Sequence, residues 1–171
     1  MRRADGQAGR RADNPAESPV RPSDRPTVEL PRSGRILAID WGEKRIGLAL
    51  SDPTQTLAQP LATLTRRAGR RLPMRALRDQ VDEHHPTGIV VGLPITPDGT
   101  EGSAAAAARA MAGEVARATS LPVDLVDERF TSSRARQAIT EMGGKTRGRE
   151  AEVDALAATV LLQGFLDRRR S

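Results

Sequence analysis

The chain of 171 residues is long enough for one domain of ordinary size with a short extension, and too short for two. Because it contains no cysteine and no long uninterrupted apolar stretch, disulfide bonds and thiolate-bound metals are excluded, no membrane span is expected, and a cytoplasmic location is predicted. Its 25 arginines and 2 lysines against 22 acidic residues leave a net charge of +5. Since the planar guanidinium pairs well with phosphate, this charge favours a polyanionic partner, and a bias in genome composition is an equally good explanation of the excess of arginine over lysine.

The first 34 residues differ in composition from the rest of the chain. They contain five of the 12 prolines and seven arginines, and almost no aliphatic side chains. Such a segment buries too little apolar surface to offset the entropy lost on ordering. We therefore predict a disordered basic tail over residues 1–34 and a folded domain over residues 35–171, and we expect deletion of residues 1–33 to leave the fold intact.

Three strands and a helix are predicted next along the chain. Residues 36–39 form a short unbroken apolar run that is typical of a central strand buried on both faces. Residues 46–50 and the weaker run 60–64 predict two further strands that form a meander with the first. A helix is expected to start at Pro73 and to end before Pro86.

The second half of the chain alternates strands and helices. Apolar runs at residues 88–93 and 123–126 predict two more strands, and an alanine-rich stretch after Ser103 predicts the helix between them. Two helices should follow, over residues 131–142 and over about 150–168. This order predicts a single α/β domain of the ribonuclease-H-like type, with a five-stranded mixed sheet flanked by helices.

Four acidic side chains occupy positions where acids are unexpected. Asp40 directly ends the first buried strand, and Asp127 and Glu128 end the strand at 123–126. Asp154 lies within the predicted apolar stripe of the last helix, where an isolated carboxylate is costly, although an acid near a helix N-terminus is also favoured by the helix dipole. That stripe consists of Val153, Leu156, Ala157, Val160, Leu161, Gly164 and Phe165.

These acids predict a metal site at the edge of the sheet. Ligands bind at the ends of strands in α/β sheets, and carboxylates that converge there repel one another unless a cation neutralises them. With oxygen ligands only, Mg²⁺ or Mn²⁺ is the expected ion, and two such ions would suit phosphodiester hydrolysis. We expect Asp40, Glu128 and Asp154 to bind metal, with Asp127 in a supporting catalytic role.

A cluster of arginines follows the third predicted strand. Its members are Arg66, Arg67, Arg70, Arg71, Arg75 and Arg78. The first four are candidates for phosphate contacts that position a nucleic acid without reading its bases, and a solvated charged face is the alternative interpretation.

Four motifs together resemble a known family. They are residues 40–52, residues 90–94 with 98–100, residues 127–131, and residues 154–163. Over about residues 34–168 they resemble the YqgF family, the RuvX-like group described both as Holliday junction resolvases and as pre-16S rRNA nucleases. The resemblance implies a ribonuclease-H-like fold, metal-dependent cleavage of structured nucleic acid, and catalytic acids at the four positions already named. One departure is Thr96-Pro97, where the family commonly has Asn.

The functional hypotheses belong to two classes. The first is a nuclease that uses Mg²⁺ or Mn²⁺ to process the 5′ end of precursor 16S rRNA, to resolve Holliday junctions, or both, as a monomer or a homodimer. The second is a ribosome-assembly factor that binds nucleic acid without cleaving it. An intact set of acids favours the enzyme, whereas the choice between RNA and branched DNA is left open by the sequence.

Overall fold

The computed structural model describes residues 28–42, 44–66, 72–130 and 150–171. These residues form a five-stranded sheet with α-helices on both faces. The predicted helix at 131–142 lies outside the described residues. Among those described, no helix is both long enough and apolar enough to cross a bilayer.

The strands are β1 (Ile36–Trp41), β2 (Arg45–Ser51), β3 (Ala58–Thr65), β4 (Gly88–Leu93) and β5 (Val123–Asp127). They are arranged in the order β3-β2-β1-β4-β5. The β1–β2 and β2–β3 pairs are antiparallel and the β1–β4 and β4–β5 pairs are parallel, which confirms the predicted mixed sheet.

Three α-helices are described, namely α1 (Met74–His84), α2 (Ser103–Thr119) and α3 (Glu150–Arg170). A short 3₁₀ turn, Glu128–Phe130, follows β5 directly. Helices α1 and α2 cover one face of the sheet, and α3 crosses the other. All three were expected from the sequence, within a few residues at each end.

Strand β1 is the centre of the core because both of its faces are buried. Ile36 and Ala38 pack with α3, whereas Leu37 and Ile39 face the other way and pack with residues of α1 and α2. Side chains alternate between the faces of a strand, so Asp40 falls on the face that α3 covers. The predicted central strand thus carries its acid towards the last helix.

The apolar stripe of α3 differs from the one expected. The side chains that are buried are Ala155, Ala158, Leu161, Leu162, Phe165 and Leu166. The true stripe is rotated by about a third of a turn from the predicted one, leaving Leu156 and Val160 only partly buried. Ala155 and Ala158 belong to the buried face because the helix backbone lies so close to β2 that only small side chains fit between them. Asp154 is still within the buried arc, and it is half-buried.

Leu30, which lies in the segment that composition placed in the tail, packs into the domain. The side chain of Leu30 is only 3% exposed and joins the core under α3. Arg169 donates a hydrogen bond of 2.7 Å to the Leu30 carbonyl, and the Gln55 amide donates to the carbonyls of Pro31 and Gly34 at 2.9 and 3.0 Å. One leucine and a few backbone contacts are too small a signal for average composition to detect.

These contacts predict that residues 1–27 and residues 28–33 contribute differently to stability. Deleting residues 1–27 should leave the unfolding free energy unchanged, whereas deleting residues 1–33 should lower it by roughly 2–4 kcal/mol, since a buried leucine is lost. Urea unfolding of the two truncated chains measures the difference. The substitution Leu30→Ala in the full chain should reproduce most of it, and equal stability of the two truncations would contradict the docking of this segment.

Candidate active site

Asp40 lies at the carboxyl end of β1, between two glycines of the neighbouring strands. Its partner in β2 is Gly47. On the other side, the parallel register pairs Ile39 with Val91, so Gly92 is level with Asp40 one step further along β4. Because neither glycine has a side chain, the face of the sheet around Asp40 is open to groups that approach from α3 and from the end of β5.

Helix α3 uses the space above Gly47. A Cβ atom on Gly47 would lie 1.9 Å from the carbonyl oxygen of Asp154 and 3.2 Å from the amide nitrogen of Ala155. The backbone of the helix therefore rests directly on the backbone of β2. This contact fixes the first turns of α3 next to the strand pair that carries Asp40, and it brings Asp154 to the same end of the sheet.

Glu128 uses the space above Gly92. A Cβ atom there would lie 2.8 Å from Glu128 Oε1 and 3.3 Å from a methyl carbon of Leu161. The 3₁₀ turn after β5 thus folds the Glu128 carboxylate back over β4, towards the level of Asp40. Asp40, Glu128 and Asp154 come from three distant segments, and the fold brings them to one face and one end of the sheet.

The carboxylate of Asp154 is engaged by Arg45, the first residue of β2. Arg45 Nε donates to Asp154 Oδ2 at 2.5 Å, and the two side chains are 35% and 31% exposed. The sequence analysis did not identify Arg45 or the two glycines as site residues. The available signal was a glycine inside a strand, which often marks a close approach of another group.

The predicted metal site is not formed by the side chains as they are placed. Among the residues that the structure describes, no group of three or more His, Asp or Glu side chains lies close enough together to hold an ion. The donor set is all oxygen and suits Mg²⁺ or Mn²⁺, but Asp154 is committed to Arg45. Metal binding by Asp40, Glu128 and Asp154 therefore stays a prediction.

Asp127 uses both of its carboxylate oxygens to hold Arg129. It accepts bonds from the Arg129 amide at 2.9 Å and from the guanidinium at 2.7 to 3.2 Å. Burial raises the pKa of Asp127, but the hydrogen bonds and charge of Arg129 outweigh it and the net pKa is lowered. Asp127 therefore holds its charge and orients Arg129, and its supporting catalytic role stays a prediction.

The loop after β4 lies beside Arg129. Asp98 accepts bonds from the hydroxyls of Thr96 and Thr100 and from the Thr100 amide, and these bonds lower its pKa to about 2. Gly99 turns the chain with a positive φ of 85°, and a Cβ atom there would lie 3.6 Å from Arg129 Nη1. Thr96 closes this turn, because its amide and its hydroxyl donate to the Thr100 carbonyl and its own carbonyl accepts from the Gly99 amide. The family that the motifs resemble commonly has Asn in this loop.

Arg66 is the member of the predicted phosphate-binding set that the structure describes. Its guanidinium stacks 4.0 Å above the ring of Trp41 and donates to the Gly42 carbonyl at 2.9 Å. These contacts brace the turn that follows Asp40. Arg67, Arg70 and Arg71 lie outside the described residues, so phosphate contact by this set stays a prediction.

Comparison with known proteins places the chain in a family. A family model described as RuvX, Holliday junction resolvase, matches residues 34–168. The chain belongs to the RuvX family. All four candidate acids lie inside the matched region, and the resemblance seen in the four motifs is confirmed. A Holliday junction resolvase is a nuclease, so the predicted class of enzyme is confirmed at the level of the family.

Individual members of the RuvX family and one solved structure agree with this assignment. A protein of Koribacter versatilis named "Putative pre-16S rRNA nuclease" is 43% identical over 136 residues, which cover 80% of this chain and 88% of that one. A protein of Rhodococcus opacus with the same name is 40% identical over 150 residues, which cover 85% of this chain and 84% of that one. RuvC of T. thermophilus, solved with a Holliday junction substrate, matches with a TM-score of 0.52 and 15% identity over 81% of this chain and 97% of that one. The ribonuclease-H-like fold is thereby confirmed.

Because α3 contacts Gly47 so closely, we expect this glycine to tolerate substitution less well than a glycine with free space beside it. Gly47→Ala forces α3 away from β2, which should cost roughly 1–3 kcal/mol of unfolding free energy, as overpacking does. Because a shift of about 1 Å in a catalytic group can cost on the order of 100-fold in rate, cleavage of nucleic acid should fall by a similar factor. Urea unfolding and a cleavage assay measure the two effects.

Gly113→Ala is the matched control, since a methyl group there meets only the end of the Arg117 side chain at 3.4 Å within α2. It should leave both quantities unchanged or raise stability slightly. Equal behaviour of the two variants would mean that α3 does not press on β2 at Gly47.

Proposed function

We propose that this protein is a divalent-metal-dependent nuclease of the cytoplasm that hydrolyses phosphodiester bonds in structured nucleic acid, with precursor 16S rRNA as its substrate. One observation carries the proposal. Three acids from β1, the turn after β5 and α3 share one face at the carboxyl end of β1, and two glycines keep the space between their segments open.

The chemistry of these side chains fits phosphodiester hydrolysis better than a purely structural role. Three acids on one face and at one end of the sheet repel one another through their charges, so placing them there costs stability unless function requires it. Metal-assisted hydrolysis of a phosphodiester needs anionic ligands that hold the cation at the phosphate, and we assign this role to Asp40, Glu128 and Asp154. Asp127 contributes by holding Arg129 at the edge of the same site.

Precursor 16S rRNA is favoured as substrate by the names of the relatives that cover most of this chain. The net charge of +5 supports a polyanion of either kind, since phosphate contacts provide most of the affinity for nucleic acid. Branched DNA is the competing substrate, because the family description and the RuvC complex both concern Holliday junctions.

A second candidate function is supported by one feature of the site. Arg45 holds Asp154, and the described side chains form no metal-binding group. A protein that kept this arrangement permanently would bind nucleic acid during ribosome assembly without cutting it. Cleavage experiments separate it from the nuclease.

The decisive variant is Asp40→Asn, which keeps the shape of the side chain and removes its charge. Wild-type protein should cleave labelled precursor 16S rRNA with Mg²⁺ or Mn²⁺ and fail to do so with a chelator, and the variant should be slower by roughly 100-fold or more because an essential carboxylate is missing. Four-way junction DNA is tested in parallel and should be cut more slowly than the RNA.

Asp79→Asn serves as the control, because Asp79 is exposed on α1, on the opposite face of the sheet. It should cleave like wild type. Cleavage that survives chelation, or that is equal in the Asp40 and Asp79 variants, would refute the metal-dependent site. Faster cleavage of the four-way junction than of the RNA would mean that branched DNA, and not precursor rRNA, is the preferred substrate.

A further inference from the structure

The ion pair between Arg45 and Asp154 joins two elements that are far apart in the chain. Arg45 begins β2 and Asp154 lies in the first turns of α3, 109 residues later. The contact runs through a single donor, Nε, to a single acceptor, Oδ2, at 2.5 Å. Both side chains are about one-third exposed, so water and ions reach the pair.

The position of this pair gives it a role in the charge balance of the site. Asp154 is on the same face and at the same end of the sheet as Asp40 and Glu128. A guanidinium keeps its charge at any pH that the fold survives, so Arg45 is a permanent positive charge at the margin of these acids. Its cation offsets part of their mutual repulsion.

A divalent metal would compete with Arg45 for the same carboxylate. The two cations would repel each other at short range, and the Oδ2 atom that accepts from Arg45 would be less available to the metal. The charge of Arg45 therefore opposes the binding of a metal at Asp154.

We propose that Arg45 is a resident counter-cation of the active site, which holds Asp154 through Oδ2 and whose positive charge weakens the binding of a divalent metal there. The inference rests on the proposed function, because it assumes that Asp154 is a metal ligand. It defines Arg45 as a positioning residue whose removal makes the metal bind more tightly.

A purely structural role for Arg45 predicts the opposite sign. If Arg45 only fixed Asp154 in the correct orientation for a metal, its loss would leave the carboxylate disordered and the affinity would fall. The direction of the change in metal affinity therefore separates the two roles, and it is measured without any nucleic acid present.

The test is calorimetric titration of the full chain with Mn²⁺ and with Mg²⁺. Arg45→Gln and Arg45→Met both remove the charge, and each should bind Mn²⁺ roughly three- to tenfold more tightly than wild type, since a partly exposed ion pair and the repulsion between cations are both removed. Arg45→Lys keeps the charge and should return the affinity to within about twofold of wild type. Melting curves establish that each variant is folded.

Arg109→Gln is the matched control, because Arg109 of α2 forms an ion pair with Glu101, just before that helix, and the two side chains are 31% and 25% exposed. It should leave the metal affinity unchanged.

Unchanged or weaker Mn²⁺ binding in the folded uncharged variants would overturn the inference, as would equal tightening in Arg45→Lys. Absence of Mn²⁺ binding in both wild type and the uncharged variants would also overturn it. Tighter binding together with a wild-type protein that cleaves no nucleic acid would support the inference and contradict the proposed function, so the two failures are distinguishable.

Discussion

The close approach of α3 to the sheet at Gly47 is the contact on which the rest of the site depends. The carbonyl oxygen of Asp154 lies only 1.9 Å from where a Cβ atom of Gly47 would be, so this contact sets the distance between the helix and β2. That distance requires small residues on the buried face, such as Ala155 and Ala158, and it sets the position of Asp154 relative to Asp40. Packing and active-site geometry are therefore determined by the same contact.

Acids that are brought together in this way repel one another, and arginines next to them offset part of that repulsion. Arg45 pairs with Asp154 and Arg129 pairs with Asp127, and each pair joins groups at the margin of the site. Because a guanidinium keeps its charge, these residues stabilise the acids at any ordinary pH. The two pairs differ in geometry. Asp127 has both oxygens occupied, whereas Asp154 is held through one, which leaves its carboxylate open to exchange.

Sequence reasoning identified the elements and the acids because both leave strong local patterns. The apolar run before Asp40 predicted a central strand, and an acid at the end of such a strand is conspicuous. It could not find Arg45, since an ion pair across 109 residues leaves no local trace. It also misjudged the buried face of α3 and the docking of Leu30, because both depend on where two backbones meet in space.

The most direct measurement of the central claim uses Mn²⁺ as a paramagnetic probe of the ¹⁵N-labelled protein. If the three acids form one site, substoichiometric Mn²⁺ should broaden the amide signals of Gly47, Gly92 and Ala155 first, because these residues surround Asp40 on three separate elements. Signals of α1, on the other face of the sheet, should persist. Broadening confined to one of these elements, or centred elsewhere, would contradict a single site built around Asp40.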